Sequence, residues 1–493
     1  MKILLVYPEY PETFWSFKHA LKFISKKAGF PPLGLLTVAA LLPKDWQKKL
    51  IDLSTAKLDD QDILWADYVF ISAMSIQKDS AKKIIARCNK LGIKIVAGGP
   101  LFTANFKDYP EVGHFILNEA EITLPLFLRD LKNGQAKRIY KSDQAADMTK
   151  TPIPQWSLIR PNKYASMSIQ YSRGCPYNCE FCNVTSLFGR NIRTKTKMQM
   201  LAELEEIYKL GWRGNVFMVD DNFIGNKLEL RKEILPAMID WMGKKKYPFS
   251  FNTQSSINLA DDEELMRLMI EAGFDSVFIG VETPDEASLA ECNKMQNKNR
   301  DLIACIKKIQ NFGLQVQAGF IVGFDSDQPT IFERMIKFIQ ASGIVTAMVG
   351  LLNAPTGTRL YQRLIKEKRL LREMTGDNTD LSLNFIPKMD REMLLAGYKK
   401  ILKTIYSPKQ YYQRILLLLR NYKSSAKKNI SQFHFYHLRA FIKSIFLLGI
   451  IHQGRSYYWK LLFWSLIRRP KLLPLAVTLA IHGYHFRKIF SDY

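Results

Sequence analysis

Cysteine is scarce in this chain, six in 493 residues. So thin a supply excludes a disulfide-stapled secreted scaffold and suits a reducing cytosol. Acids are short as well, 46 against 71 Lys and Arg, for a net charge of +25. No apolar run reaches the roughly 20 residues that a membrane-spanning helix requires. The opening MKILLVYPEY has one lysine and five apolar residues before Pro8. It is too short for a signal-peptide core and reads as a buried first strand. Histidine is absent between His19 and His114. Disorder is excluded in turn, because 47% of the residues are hydrophobic and 12% aromatic. The length suits two or three domains.

Against that scarcity, three of the six cysteines crowd into Tyr171–Asn183, YSRGCPYNCEFCN. Gly174 and Pro176 bracket Cys175, so the segment reads as a loop. Cys175, Cys179 and Cys182 could serve three ends. Structural zinc wants four closed ligands, and no fourth cysteine or histidine is near in sequence. A disulfide would leave one thiol over. A [4Fe-4S] cluster on three thiolates leaves one iron open to a further ligand.

Residues 1–135 alternate short apolar runs with helical stretches, which predicts a doubly wound parallel sheet. The expected strands are Ile3–Tyr7, Lys49–Leu53, Tyr68–Ala73, Ile93–Ala97 and Phe115–Leu117. Ligands of such sheets bind beyond the carboxyl ends of the strands. The segments there are Pro8–Phe17, Ser72–Gln77, Gly98–Phe102 and Asn118–Glu121, each of which could also be an ordinary turn. Residues 136–165 read as a proline-marked linker, 166–365 as a partial six-stranded (β/α) barrel, 366–430 as a helical extension and 431–493 as a basic amphipathic tail. Polar groups follow the barrel strands: Asp220-Asp221-Asn222, then Gly280-Val-Glu282-Thr283, then Gly319 through Ile321 and Gly323 to Asp325. The Asp220-Asp221-Asn222 group could instead be a helix cap, and each glycine pattern taken alone is weak. Cys88 and Cys305 lie in helical patterns, where a small buried hydrophobe is the default, while Cys292 follows an acidic helix start and could be exposed.

Cys-x3-Cys-x2-Cys with Phe181 before its last cysteine resembles the radical S-adenosylmethionine (SAM) signature. The resemblance implies a [4Fe-4S] cluster on Cys175, Cys179 and Cys182, whose open iron chelates SAM and whose electron releases a 5'-deoxyadenosyl radical. It implies SAM contacts from Phe181, Asp220, Asp221, Asn222, Glu282 and Ile321, with Gln254 standing where relatives often have Glu. It also implies a reduced flavodoxin or ferredoxin-type electron donor. The N-terminal region resembles cobalamin-binding domains found ahead of such barrels. Ser72, Met74, Ser75, Gln77, Gly98, Gly99, Pro100 and Glu119 are the cobalamin contacts this implies. The Asp-x-His-x-x-Gly motif of many cobalamin domains is absent, so cobalt would have no histidine ligand, or cobalamin is lost.

The runs Val349–Leu370, Pro32–Leu36 and Asp220–Asn226 resemble the branch that contains hopanoid C-2 methyltransferases. That implies a cobalamin-dependent enzyme methylating an unactivated carbon of a small molecule or lipid, a hopanoid being one candidate. Alternatives are ring formation or rearrangement without methyl transfer, and RNA methylthio-transfer. The last usually has a second cysteine triplet ahead of the barrel, where this chain offers Cys88 alone.

The tail adds a partner of another kind. From Ile401 to Tyr493 there are sixteen Lys or Arg and one acid, Asp492. Apolar runs Phe441–Ile451, Leu461–Ile467 and Leu472–Ile481 alternate with these charges, and Tyr457, Tyr458, Trp459, Trp464, Tyr484 and Phe486 accompany them. The pattern suggests helices lying on the anionic inner face of a membrane, with the protein otherwise cytoplasmic. A helical cap on the barrel is the alternative. No recognition motif supports nucleic acid.

Overall fold

The computed structural model describes residues 1–423 and 435–491. The chain divides into two compact units. The first takes Met1–Pro11, Lys27–Cys175 and Asn183–Trp212; the second takes Glu12–Lys26, Pro176–Cys182 and Arg213–Tyr493.

In the first unit, β1 (Lys2–Tyr7), β2 (Gln47–Asp52), β3 (Tyr68–Ser72), β4 (Lys94–Gly98), β5 (His114–Ile116) and β6 (Ile139–Tyr140) form a sheet in the order β2-β1-β3-β4-β5-β6. Every pairing in it is parallel. Parallel strands need both faces covered, and the sequence of β1 provides for it. Leu4 and Val6 enter one apolar core while Ile3 and Leu5 enter the other. The order reverses between β1 and β3, which is where such sheets bind ligands. Residues 136–165, expected as a linker, instead add β6 and three single 3-10 turns to this unit. The buried Tyr164 hydroxyl there donates to Asp52 at 3.0 Å. A short strand, β7 (Met167–Ile169), and the antiparallel pair β8 (Ser172–Arg173) and β9 (Arg193–Thr194) complete the unit's strands.

The second unit carries β10 (Gly214–Met218), β11 (Phe249–Ser255), β12 (Phe274–Glu282), β13 (Gln315–Val322) and β14 (Ala347–Leu351). Each pairs in parallel with the next in chain order, as a partial (β/α) barrel requires. Helices between them are bounded by ordinary caps. Asp262 and Asp301 accept from the third residues of their helices, and Gly273 and Gly313 end those helices with φ of +104° and +112°. Along β11, Phe249, Phe251 and Thr253 are buried on one face, while Ser250, Asn252 and Gln254 share the other.

The tail belongs to the second unit. Its described helices are Phe435–Ser444, continued π-helically over Ile445–Ile451, then Arg455–Arg468 and Leu473–Ile489. The last is interior, not interfacial. Phe486 stacks on Phe14 with centroids 4.3 Å apart, and a Cβ on Gly483 would strike the Tyr411 ring. Phe486 and Tyr458, expected at a membrane interface, are buried, because apolar partners are available within the fold. No described helix is long and apolar enough to cross a membrane. The boundary expected at residues 430 and 431, and Asp492, lie outside the described residues.

Candidate active site

The cysteine loop of the second unit is held by backbone and charge together. Glu180 N–H donates to the Cys292 carbonyl at 2.9 Å. Asn293 donates to the Asn178 carbonyl at 2.9 Å, and Gln296 Nε2 reaches Cys179 Sγ at 3.8 Å. The Glu180 carboxylate accepts from Arg363, and its carbonyl accepts from Leu360 N–H at 3.0 Å. In the first unit, Cys175 follows Gly174, whose φ of +97° and 2.6 Å approach of a would-be Cβ to the Asn191 carbonyl require glycine. None of the six cysteines is in a disulfide. Cys292, which could have been exposed, is buried near Cys179 and Glu282, and burial pushes its thiol pKa up. Cys88 is buried in its helix, as expected, and pushed up to about 11 by burial.

Glu282 ends β12 in an unusual backbone state. Its φ is +66°, and the register with β13 shifts between Gly280 and Glu282. Left-handed backbone at a non-glycine residue costs on the order of 1–3 kcal/mol and gathers at functional sites. The turned carboxylate, buried, meets the largely buried Lys294 Nζ at 2.7 Å. A Cβ at position 280 would collide with both. Burial opposes the charge of Lys294, yet Glu282, then Cys179 and Cys182, hold its pKa above the ordinary lysine value. Lys294 therefore sets a buried cation beside two of the signature thiols.

Asp220 and Asn222 are buried after β10, with Asp221 half-buried. Asn222 Oδ1 accepts from Ser256 N–H at 3.1 Å, Ser256 Oγ reaches Asn258 at 2.6 Å, and Asn258 donates to the Tyr177 hydroxyl at 2.9 Å. The loops after β10 and β11 are thus tied to the cysteine loop. Phe181 of the cysteine loop and Ile321 near the end of β13 pack against the core of Phe324, Leu352 and Leu360. Asp327 accepts from Gly323 and Phe324 N–H at 2.8 and 3.1 Å and from Ser288 at 2.8 Å. Burial raises its pKa to about 6 against those bonds. Asp325 pairs with Arg369 and Arg363, which hold it down to about 2 although burial would raise it.

An aromatic wall crosses the other face of the strands. Trp15 Nε1 donates to Met348 Sδ at 3.0 Å, and its ring stands edge-on to Phe278 at 5.3 Å. Gly319, between those strands, leaves the Phe278 ring 3.0 Å from where a Cβ would be. Gln254 lies in register with Phe278, and Phe278 with Gln317.

In the first unit the expected cobalamin contacts gather at the carboxyl ends of β3, β4 and β5, several of them already engaged. Gln77 donates to the Pro8 carbonyl and accepts from Met74 N–H, which locks the turn carrying Ser75. Met74 is exposed. Gly98 and Gly99 are needed by the fold itself, since Cβ atoms there would meet the Ile116 carbonyl at 2.7 Å and Ser72 Oγ at 2.6 Å. Pro100 opens the helix Pro100–Asn105. Glu119 is buried, with both oxygens on Arg193 and one also on Ala146 N–H. Its neighbour Asn118, at φ +62°, keeps a buried Oδ1 that accepts no hydrogen bond from the protein.

Sequence reasoning missed Lys294, Gln296, Arg363 and Trp15. None stands in a recurring pattern or next to a signature residue; folding alone brings each to the site.

Residues 169–339 match the radical SAM superfamily, and residues 358–493 match a domain of unknown function, DUF4070. An uncharacterized methyltransferase, sll1242, of Synechocystis sp. is 40% identical over 99% of this chain and 91% of its own length. The chain belongs to this family of radical SAM methyltransferases. The hopanoid C-2 methylase of Rhodopseudomonas palustris is 33% identical over 84% of this chain and 78% of its own. The fold is also that of OxsB, a cobalamin-dependent SAM radical enzyme solved with aqua-cobalamin and SAM, at TM-score 0.65 and 15% identity over 100% of this chain and 80% of that one.

As a radical SAM enzyme, the family member uses a [4Fe-4S] cluster and SAM. The residues present fit both. Three cysteines outside any disulfide share one short stretch, and Lys294 offsets the charge that thiolates bring. Gln296 Oε1, beside Cys179, is buried with no protein partner, an acceptor suited to a ligand's donor. Among the described residues no three His, Cys, Asp or Glu side chains converge as ligands of one metal ion do. A cubane instead places each thiolate on a separate iron.

Proposed function

We propose that this radical SAM enzyme is a cobalamin-dependent C-methyltransferase acting on an unactivated carbon of a bulky apolar substrate, of which a hopanoid-type lipid is the leading candidate. The observation that carries the reading is the 33% identity to a hopanoid C-2 methylase over 84% of the chain. The wall of Trp15, Phe278 and Met348 agrees with it, since flat rings and a polarizable thioether suit a polycyclic hydrocarbon better than a charged substrate. The cluster with SAM supplies a hydrogen-abstracting radical, and cobalamin a transferable methyl group.

Cys175, Cys179 and Cys182 would hold the cluster. Asp220, Asp221, Asn222, Glu282, Phe181 and Ile321 would hold SAM. Lys294 pairs with the Glu282 carboxylate and aims it, and the Asn222–Ser256–Asn258–Tyr177 chain keeps the cysteine loop in register with the β10 turn. In the first unit, the loops bearing Ser72, Met74, Ser75, Gln77, Gly98, Gly99, Pro100 and Glu119 would line the cobalamin site. The buried acceptor Asn118 Oδ1 fits a corrinoid, whose rim carries amide donors. Reduced flavodoxin or a ferredoxin would supply electrons.

The test is anaerobic reconstitution followed by a visible spectrum for bound corrinoid and an assay for deoxyadenosine. A comparison of lipid extracts from wild-type and deletion cells accompanies it. Cys175→Ala abolishes deoxyadenosine formation, and the deletion strain lacks a lipid one methylene heavier than its precursor. Wild-type deoxyadenosine production by Cys175→Ala overturns the cluster assignment. A product rearranged but not methylated overturns methyl transfer.

A further inference from the structure

Two helices of the second unit leave an apolar stripe uncovered. Leu438, Ile442, Phe446 and Ile450 follow one another at intervals of four along Phe435–Ser444 and its continuation Ile445–Ile451, and all four are exposed. That interval keeps them on one side of a helix. Ile451 adds to the row. The neighbouring helix Arg455–Arg468 exposes Phe463, Leu466 and Ile467, the last at 77%. The two rows adjoin. Trp459 donates to the Gly449 carbonyl at 2.9 Å and stacks on Phe463 at 5.6 Å. Gly449 permits this, because a Cβ there would meet the indole at 3.2 Å.

Eight large apolar side chains on one surface are unusual for a face that meets only water. The charge around them has a single sign. Between residues 435 and 491 there are nine Lys or Arg and no acid. Arg439, Arg455, Lys460, Arg468 and Lys471 are exposed beside the stripe. A protein partner with an apolar patch would need a matching acidic rim. An anionic bilayer offers both the apolar interior and the negative surface over an unlimited area.

We infer that the surface formed by Phe435–Ile451 and Arg455–Lys471 docks the enzyme onto an anionic lipid bilayer, lying in the interface and not spanning it. Its apolar rows enter the acyl boundary while the flanking Lys and Arg meet lipid phosphates. Helix Leu473–Ile489 takes no part, being buried in the unit. The inference stands apart from the substrate reading, because docking is measured without turnover.

The experiment is co-sedimentation of the reconstituted full-length enzyme with vesicles. One set is phosphatidylcholine alone; the other is phosphatidylcholine mixed with phosphatidylglycerol. The wild type partitions at least about tenfold better onto the anionic vesicles, and salt weakens the preference. The double variant Phe446→Ser, Ile467→Ser lowers partitioning by about tenfold or more. Arg468→Glu with Lys471→Glu removes the preference for phosphatidylglycerol. Both variants keep the wild-type melting temperature, because the altered side chains are exposed. Absence of wild-type partitioning overturns the inference, as does partitioning that neither variant changes. A concentration-dependent dimer broken by Phe446→Ser, Ile467→Ser also overturns it, since the stripe would then face a second copy.

Discussion

Arg363 donates to both oxygens of Glu180, from Nε at 2.8 Å and from Nη2 at 3.1 Å, across 183 residues of sequence. Glu180 lies between two signature residues, Cys179 and Phe181. The same guanidinium reaches Asp325 after β13 at 2.9 Å. One side chain thereby clamps the cluster loop to the loop that follows β13. A two-pronged pair of this kind has one geometry, so it positions as well as attracts.

Arg363→Ala should loosen that clamp. Hydrogen bonds to charged groups contribute about 1.5–3 kcal/mol, so iron loss to a chelator should speed up by about tenfold or more. Arg363→Lys should fall between, as it keeps the charge without the fork. Iron per chain against time under anaerobic chelation measures this, and unchanged retention would show that the clamp is dispensable.

Lys294→Met should separate the roles of charge and bulk. Removing one partner of a buried pair costs about 3–5 kcal/mol and leaves the Glu282 carboxylate without its cation. SAM affinity should fall by about tenfold or more, while iron content holds. With a cation gone from beside Cys179 and Cys182, the cluster's midpoint potential should become more negative. Lys294→Arg should restore most of both quantities. Calorimetry with SAM and an EPR-monitored redox titration check them.

Trp15→Ala should cut product without touching the cluster. Truncating a central aromatic anchor commonly costs 2 kcal/mol or more, so methylated product at matched enzyme level should fall by about tenfold or more. Iron content and SAM binding should stay at wild-type values. A proportional fall in iron would instead make Trp15 a folding residue, braced through Met348.

Asp327 should give the protein a pH signature. Burial lifts its pKa from 3.8 to about 6. The folded chain therefore binds this proton more readily than the unfolded chain, and the resulting stability is whole below the unfolded value. It is lost as pH rises through about 6, by on the order of 3 kcal/mol for about two pKa units. Asp327→Asn cannot ionise, so its melting temperature should gain on the wild type between about pH 4 and 7. A difference curve flat across that window sinks the assignment.

Much of the architecture was legible because it is periodic or local. Expected strands over Ile3–Tyr7, Tyr68–Ala73 and Ile93–Ala97 match β1, β3 and β4 to within a residue at either end. The cysteine triplet is legible because its ligands are neighbours in the chain. The burial of Cys292 is not legible, since nothing adjacent in sequence reveals the loop that docks over it. The apolar run Leu472–Ile481 was misplaced at an interface for the same reason. Its partners, Phe14 and Tyr411, come from distant segments.

The amino-acid sequence by itself determined the alternation of strands and helices, the thiol triplet, the polar strand ends and the one-signed charge of the tail. These follow from side-chain period, turn chemistry and composition, which act over a few residues. Tertiary structure alone decided that Lys294 would charge the thiol site, that Trp15 would wall the sheet face, and which tail helix would be interior. Each depends on which surfaces meet after the chain has crossed hundreds of residues, and packing, unlike periodicity, leaves no local trace.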